Sequence, residues 1–443
     1  MSDKFKKRLL PLLLLLPSVI YAQPTQPMTL HEALTLARKH SNQLQADSMQ
    51  YHIAQSRVAQ NKTNALPQLV ANASYRRMSN NITPFVINLS PDVSFTLNPQ
   101  ILNQSYNSVE LTQLLYSGGK VTYTSRALKS EFEASRSDYE KNILALDQQV
   151  TDLWFNLYNA RASERIIQAN IEVLNKKRAD LETFRVEGIA LANDVLKIDL
   201  SITSLRSSLA DMASLAGSLN YNLCLTTGTD PATTIEIPDA YLQAVVAIAP
   251  LQVYIDDALA KRPELKSFKF RSEAASYRIK SARSDYFPTI NLIGSYNYDK
   301  PNQRVIPSEN KFTYSAYAGA NLTWRISAFY TNHTRVRETK LSALQLDRNI
   351  LQTQDNIRME VNTSYLEFKK TLDKMTLVQI ELEQASENFR VEQNKLDAQT
   401  TTPTDFLDAN VKFLQAQLNL ATAKANAELA YRKLITSTGE TAQ

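Results

Sequence analysis

Hydrophobic and polar positions change period several times along this chain, and each change marks an element. From Thr29 to Ala65 apolar and alanine positions fall three and four apart with few breakers, which predicts a helix over 29–65. Leu66-Pro67 ends it, because proline disfavours helix for the residue before it. Past Pro67 and Pro288 the period drops to two. The clearest run sets Ile290, Leu292, Gly294, Tyr296 and Tyr298 against Asn291, Ile293, Ser295 and Asn297. Another sets Phe312, Tyr314, Ala316, Ala318, Ala320, Leu322 and Trp324 against Thr313, Ser315, Tyr317, Gly319, Asn321 and Thr323. A weaker alternation places Val109, Leu111 and Leu115 against Ser108, Glu110 and Thr112. These patterns predict strands over 69–77, 106–116, 289–298 and 312–324, apolar on one face and small-polar on the other, as in outer-membrane strands. Between them, 78–105 and 299–311 hold Asn80, Asn81, Pro84, Pro91, Pro99, Pro301 and Pro307 and read as loops.

After each second strand the helical period returns for an unusual length. No glycine or proline interrupts Lys120 to Glu187, which predicts a helix over 120–187, about 100 Å long at 1.5 Å per residue. Its seam runs Ile143, Leu146, Val150, Leu153, Leu157, Ala160, Ile167, Ile171, Leu174 and Leu181, the spacing of a coiled coil. A counterpart is expected over 328–398, through Val361, Phe368, Met375, Val378, Leu382, Ala385 and Phe389. Return helices are expected over 192–221 and 403–436, and a shorter helix over 252–285. The stretch 224–250, rich in Thr and Pro, reads as a linker with a β-like run at Thr234-Ile235-Glu236-Ile237.

The architecture is stated twice. Leu66-Pro67-Gln68-Leu69 recurs as Phe287-Pro288-Thr289-Ile290, and Leu111-Thr112 as Leu322-Thr323. The turn Gly188-Ile189-Ala190-Leu191-Ala192-Asn193-Asp194 recurs as Gln399-Thr400-Thr401-Thr402-Pro403-Thr404-Asp405, in the same order. The chain therefore divides into a first repeat, 23–223, and a second, 251–437.

Composition narrows the chemistry. Only 8 glycines in 443 residues suits a chain spent mostly in long helices. One cysteine, Cys224, leaves no disulfide framework, and the four histidines show no ligand spacing, so no metal or cofactor is expected. No nucleophile–base pair or phosphate loop is present, which argues against an enzyme. Lys4, Lys6, Lys7 and Arg8 precede an apolar run from Leu9 to Val19, and Ala22 offers a cleavage site, so 1–22 reads as a signal peptide. Its removal takes away those four cations and Asp3, lowering the formal net charge from +5 to +2. A near-neutral exported chain carries no nucleic-acid signature.

Four strands cannot close a barrel, and open strand edges in hydrocarbon leave backbone groups unpaired at several kcal/mol each. Several chains must therefore pool them. Two would give eight strands and three would give twelve; the small polar inner face suits the wet lumen of the larger barrel.

The order of helix, Pro-started strand, loop, strand ending in Leu-Thr, long helix, turn and return helix, all duplicated, resembles the TolC family of outer-membrane efflux and secretion channels. Asp152-Leu153-Trp154-Phe155-Asn156-Leu157-Tyr158-Asn159-Ala160 and Tyr431-Arg432-Lys433-Leu434-Ile435-Thr436 are family-like stretches. The resemblance covers essentially the whole mature chain. It implies a mainly α fold with a membrane β-barrel portion, assembled as a homotrimer with a twelve-stranded barrel in outer-membrane lipid. An α-helical tunnel would reach into the periplasm to a periplasmic adaptor and an inner-membrane pump. Small-molecule efflux and type I protein secretion both use such ducts, and efflux, the commoner use in the family, is the expected one here. An exported coiled-coil scaffold or adaptor is the alternative from another class, and would leave the envelope without detergent.

By the same resemblance Asp405 and Asp408 match the pair of aspartates lining the periplasmic entrance, and Asp194 and Asn193 occupy latch positions. A helix start at Thr402-Pro403 also accounts for Asp405 by itself. Leu396 and Thr401 stand where the family has a tyrosine and an arginine, so an Asp194–Arg latch is not available there. Tips that dock an adaptor would be Gly188, Ile189, Ala190 and Leu191, and Thr400, Thr401, Thr402 and Pro403, with Gln399 replacing the tip glycine in the second copy.

The strand facing is testable. Leu292→Lys should cut the yield of assembled barrel in the outer-membrane fraction, at a cost of about 2–4 kcal/mol near the bilayer midplane, while Asn291→Lys is tolerated. Equal yields from both would undo the facing.

Overall fold

The computed structural model describes residues 25–81, 83–238 and 248–441. The expected signal peptide lies outside them, as does 239–247 of the expected linker. In order, the elements are β1 (Thr25–Pro27), α1 (Leu30–His40), α2 (Asn42–Thr63), β2 (Gln68–Arg77), β3 (Phe85–Ser90), β4 (Val93–Asn98) and β5 (Asn103–Tyr116). There follow α3 (Lys120–Val186), α4 (Ala192–Thr227), β6 (Thr234–Glu236), α5 (Leu251–Lys261), α6 (Pro263–Arg283), β7 (Thr289–Asp299), β8 (Thr313–Thr323), α7 (Ala328–Asp397) and α8 (Pro403–Ser437).

Four expectations are corrected. The helix over 29–65 is two, because Ser41 takes φ −59° and ψ 111° and its hydroxyl accepts from Leu44 N–H, capping α2 afresh. The helix over 252–285 is also two. Pro263 pushes Arg262 out of the helical region, to ψ 128°, and starts α6 as its first residue. The loop 78–105 contains the β3–β4 hairpin, in which Phe85, Ile87 and Leu89 alternate with polar or smaller neighbours and stay exposed. Finally, α4 runs past 221 to Thr227, into the expected linker, and β6 pairs in parallel with β1. The Asn220 amide pins β6 to α4 by donating to Thr233 C=O at 2.8 Å and accepting from Ile235 N–H at 2.8 Å.

β2, β5, β7 and β8 form one antiparallel sheet in that order, so the two repeats meet at β5 and β7. The register aligns Leu69 with Leu111, Leu111 with Gly294, Leu292 with Ala320, and Tyr298 with Tyr314. One face thus carries Leu69, Val109, Leu292, Tyr296 and Leu322, and the other Asn72, Ser108, Asn291, Ser295 and Asn321. A bulge between Leu114 and Tyr116 takes Leu115 out of the alternation with Val109 and Leu111. The turn from β5 into α3 needs Gly118, at φ +63°, since a Cβ there would sit 2.7 Å from Ser284 O.

By compactness the chain forms two units that cut across the repeats. The first comprises the described parts of Met1–His40, Gln149–Val245 and Lys374–Leu429; the second comprises those of Ser41–Gln148, Val246–Asp373 and Ala430–Gln443. In the first, Ile167, Ile171, Leu174, Val195, Ile198, Leu396 and Phe406 form an apolar cluster joining the α3–α4 and α7–α8 hairpins. Trp154 and Phe155, off the expected seam, are each 1% exposed, and Trp154 donates to Met28 C=O at 3.1 Å. Burying each such ring contributes roughly 2–3 kcal/mol. In the second unit Tyr254, Ala258, Val361, Phe368 and Leu434 form the core. Beside it Arg262 makes two bonds to Glu360, at 2.7 and 2.6 Å. Among the described residues no helix is long and apolar enough to cross a membrane.

Within the first unit Asn170 and Asn410 exchange amide hydrogen bonds of 2.9 and 3.1 Å while 5% and 1% exposed. Sliding one hairpin along the other would break both. Asn170→Ala should destabilise the helices by about 2 kcal/mol in urea unfolding, because Asn410 is left buried and unpaired. The Asn170→Leu, Asn410→Leu double variant should recover most of that loss.

Candidate functional site

The two hairpin tips carry every residue that the sequence singles out, and one backbone motif closes both. At the first, Gly188 adopts φ +80°. Gly188 N–H bonds Arg185 C=O at 3.1 Å, and Ile189 N–H bonds Phe184 C=O at 2.8 Å, the bond pair of a Schellman helix end. At the second, Gln399 takes φ 59°, Gln399 N–H bonds Leu396 C=O at 3.0 Å, and Thr400 N–H bonds Lys395 C=O at 2.8 Å. The missing glycine therefore leaves this bond pair unchanged, while at the first tip Ala190 N–H adds a third bond to Phe184 C=O at 3.2 Å. Ile189 and Leu191 expose apolar surface at the first; Thr400 and Thr402 expose hydroxyls at the second. Ala190, Thr401 and Pro403 are half-buried.

The return helices start differently. Thr402 and Asp405 form a reciprocal cap: Thr402 Oγ1–H donates to Asp405 Oδ2 at 2.7 Å, and Asp405 N–H donates to Thr402 Oγ1 at 3.2 Å. The Thr402 hydroxyl holds the Asp405 carboxyl below the usual aspartate range. Asp405 and Asp408 are both exposed, one turn apart on a single face of α8. Leu191 has no side chain able to cap α4, so there Asp194 reaches back alone to Leu191 N–H, at 3.4 Å.

Asn193 is exposed and Asp194 half-buried. Asp194 pairs with Lys197 at 3.4 Å, and Lys197 Nζ also donates to Thr404 Oγ1 of α8 at 3.0 Å. Lys197 thus ties the first hairpin to the second, a contact the sequence reading missed. Its one local signal was a cation three residues beyond Asp194. Lys177 adds another tie, reaching Asp397 at the end of α7 at 2.5 Å. The two positions where the family pattern fails have other work. Leu396 is 6% exposed inside the apolar cluster with Phe406. Thr401 donates to Glu392 Oε2 at 2.9 Å, and Lys395, foremost, with Thr401 lowers the Glu392 pKa. Among the described residues no group of His, Cys, Asp and Glu is arranged to hold a metal.

The motif also makes a quantitative expectation. A Cβ on Gly188 would meet nothing within 4 Å, so Gly188→Ala isolates backbone strain. It should cost about 1 kcal/mol, read as roughly fivefold faster hydrogen exchange at the Ile189 amide. Gln399→Gly should slow exchange at Thr400 by up to the same factor, less whatever the freer unfolded chain takes back.

The fold as a whole has counterparts among solved structures. VceC from Vibrio cholerae matches with a TM-score of 0.75 at 17% identity, over 94% of this chain and 97% of that one. The outer-membrane channel OprN matches at 0.75 and 16% identity, over 93% and 89%. CmeC from Campylobacter jejuni matches at 0.73 and 18% identity, over 94% and 87%. At such identities the likeness is one of fold. No curated protein sequence matches this chain significantly. The outer membrane efflux protein profile, however, matches residues 33–214 and 254–440, most of both repeats. The chain therefore belongs to the outer membrane efflux protein family, and is an efflux channel of the outer membrane rather than an enzyme.

Proposed function

We propose that three copies of this chain pool their strands into one twelve-stranded barrel, continuous with a helical tunnel, forming a passive duct across outer membrane and periplasm. The observation that carries this reading is the open four-stranded sheet. Among the described residues its outer strands, β2 and β8, each have an unpaired edge, while Leu69, Leu292 and Leu322 stand exposed on one face. Such a sheet is stable in hydrocarbon only when copies supply the missing edge partners. The polar face, with Asn72, Ser108, Asn291 and Asn321, then lines a wet lumen.

The cargo in this reading is small molecules, handed over by an inner-membrane pump through a periplasmic adaptor. The adaptor docks on Gly188–Leu191 and Thr400–Pro403, where rigid turns present Ile189 and Leu191 beside a row of hydroxyls. Asp405 and Asp408 line the entrance, six carboxylates in three copies, which favours cations. The latch is the Asp194–Lys197–Thr404 chain with Asn193 beside it, in place of an arginine pair.

Conductance in planar bilayers tests the reading. The native protein should run as a trimer in unheated gels and conduct. Asp405→Asn with Asp408→Asn should lower its cation preference several-fold, and Lys197→Met should raise the open fraction. A detergent-independent monomer that passes no ions would overturn the duct. Unchanged selectivity or gating in the variants would move the entrance or the latch elsewhere. Photocrosslinking from Leu191 and Thr400 in intact cells should capture an adaptor.

A further inference from the structure

At the strand ends far from the helices, the polar face of the sheet carries two guanidiniums with no carboxylate against them. Arg76, near the end of β2, lies over the Tyr106 ring, 5.6 Å from its centroid. Arg304, in the loop between β7 and β8, lies over Tyr317 at 5.7 Å, and its Nη1 donates to Ser315 Oγ at 2.6 Å. The register places Arg76, Tyr106, Ser315 and Tyr317 on the same face as Asn72, Ser108 and Asn321.

The loop is built to hold Arg304 there. Asn302 is 3% exposed; its Nδ2 donates to Thr313 C=O at 3.1 Å and its Oδ1 accepts from Arg304 N–H at 3.0 Å. Next to it, Gln303 Nε2 donates to the Tyr106 hydroxyl at 3.2 Å, which donates to Gln104 Oε1 at 2.9 Å. One hydrogen-bonded chain thus joins the platform under Arg76 to the loop that carries Arg304. Stacking occupies one face of each guanidinium and leaves N–H edges for oxyanions. Two acids share this sheet face. Glu110 lies well along β5 toward the helices, and Asp299 is engaged, its Oδ1 accepting from Asn107 N–H at 3.0 Å. Among the described residues neither arginine has an ion-pair partner.

We propose that Arg76 and Arg304 form an anion-preferring collar at the outer mouth of the lumen, favouring the exit of cargo that carries a carboxylate or other oxyanion. This rests on the barrel reading, in which the polar face lines the lumen and three copies contribute six guanidiniums. The low-dielectric barrel wall focuses their field into the water column. The planar fork matches a carboxylate better than a point charge does. The collar is opposite in sign to the entrance proposed at Asp405 and Asp408, so cargo meets different selection on entering and on leaving.

Reversal potentials in potassium chloride and potassium benzoate gradients test this on the intact protein. Arg76→Gln with Arg304→Gln should raise the potassium-to-anion permeability ratio about twofold, a modest change because water and salt screen the charges. Arg76→Lys with Arg304→Lys should keep the native ratio for chloride, since the charge remains. A glutamine pair with native ratios would overturn the collar. So would a lysine pair that shifts chloride as far as the glutamine pair, since the effect would then be one of shape. Failure of the native protein to conduct at all would instead overturn the duct itself.

Discussion

Unpaired backbone at two sheet edges is the constraint that everything else in this protein must accommodate. β2 and β8 present N–H and C=O groups along their outer sides that no strand among the described residues reaches. In water that arrangement is tolerable; in hydrocarbon each orphaned group costs several kcal/mol. The strands therefore make sense as part of an assembly. Because β5 passes into α3 through Ser117–Gly119 and β8 into α7 through Trp324–Ser327, whatever closes the sheet also sets the helices that leave it. At Gly118, in the first of these connections, a Cβ would sit 2.7 Å from Ser284 O.

Duplication accounts for the economy of the design, and divergence accounts for its specificity. The same Schellman end closes both tips, at Gly188 without strain and at Gln399 in a conformation that disfavours side chains. Once the backbone is shared, the copies are free to specialise. Thr402 caps α8 with its hydroxyl and so ties up Asp405, whereas Leu191 leaves Asp194 to both α4 and Lys197. The apolar cluster around Leu396 and Phe406 supplies attraction between the hairpins but tolerates sliding. Asn170–Asn410 and Lys177–Asp397 do not, and polar groups placed in an apolar seam are the usual means of fixing register. Leu396 shows the exchange plainly: a position that serves as a latch in the family resemblance is here given to packing.

Much of this was legible in the chain, and the physical reason is locality. Helical and strand periods, the proline-set strand starts, the Thr402 cap and the order of duplicated segments all depend on neighbours a few residues apart, so α3, α7, β7 and β8 fall where the pattern puts them. The break at Arg262-Pro263 was equally local; it went unread because the apolar spacing continues across it. The break at Ser41 needed more, since serine inside a helical pattern is usually silent. What only the tertiary structure decided are contacts between residues more than a hundred positions apart: β5 beside β7, β1 beside β6, Trp154 against Met28, and Lys197 on Thr404. No periodicity encodes such pairs. Each is one outcome among many with the same local propensities, and it is selected by which side chains fit, bury and satisfy one another once the elements have met.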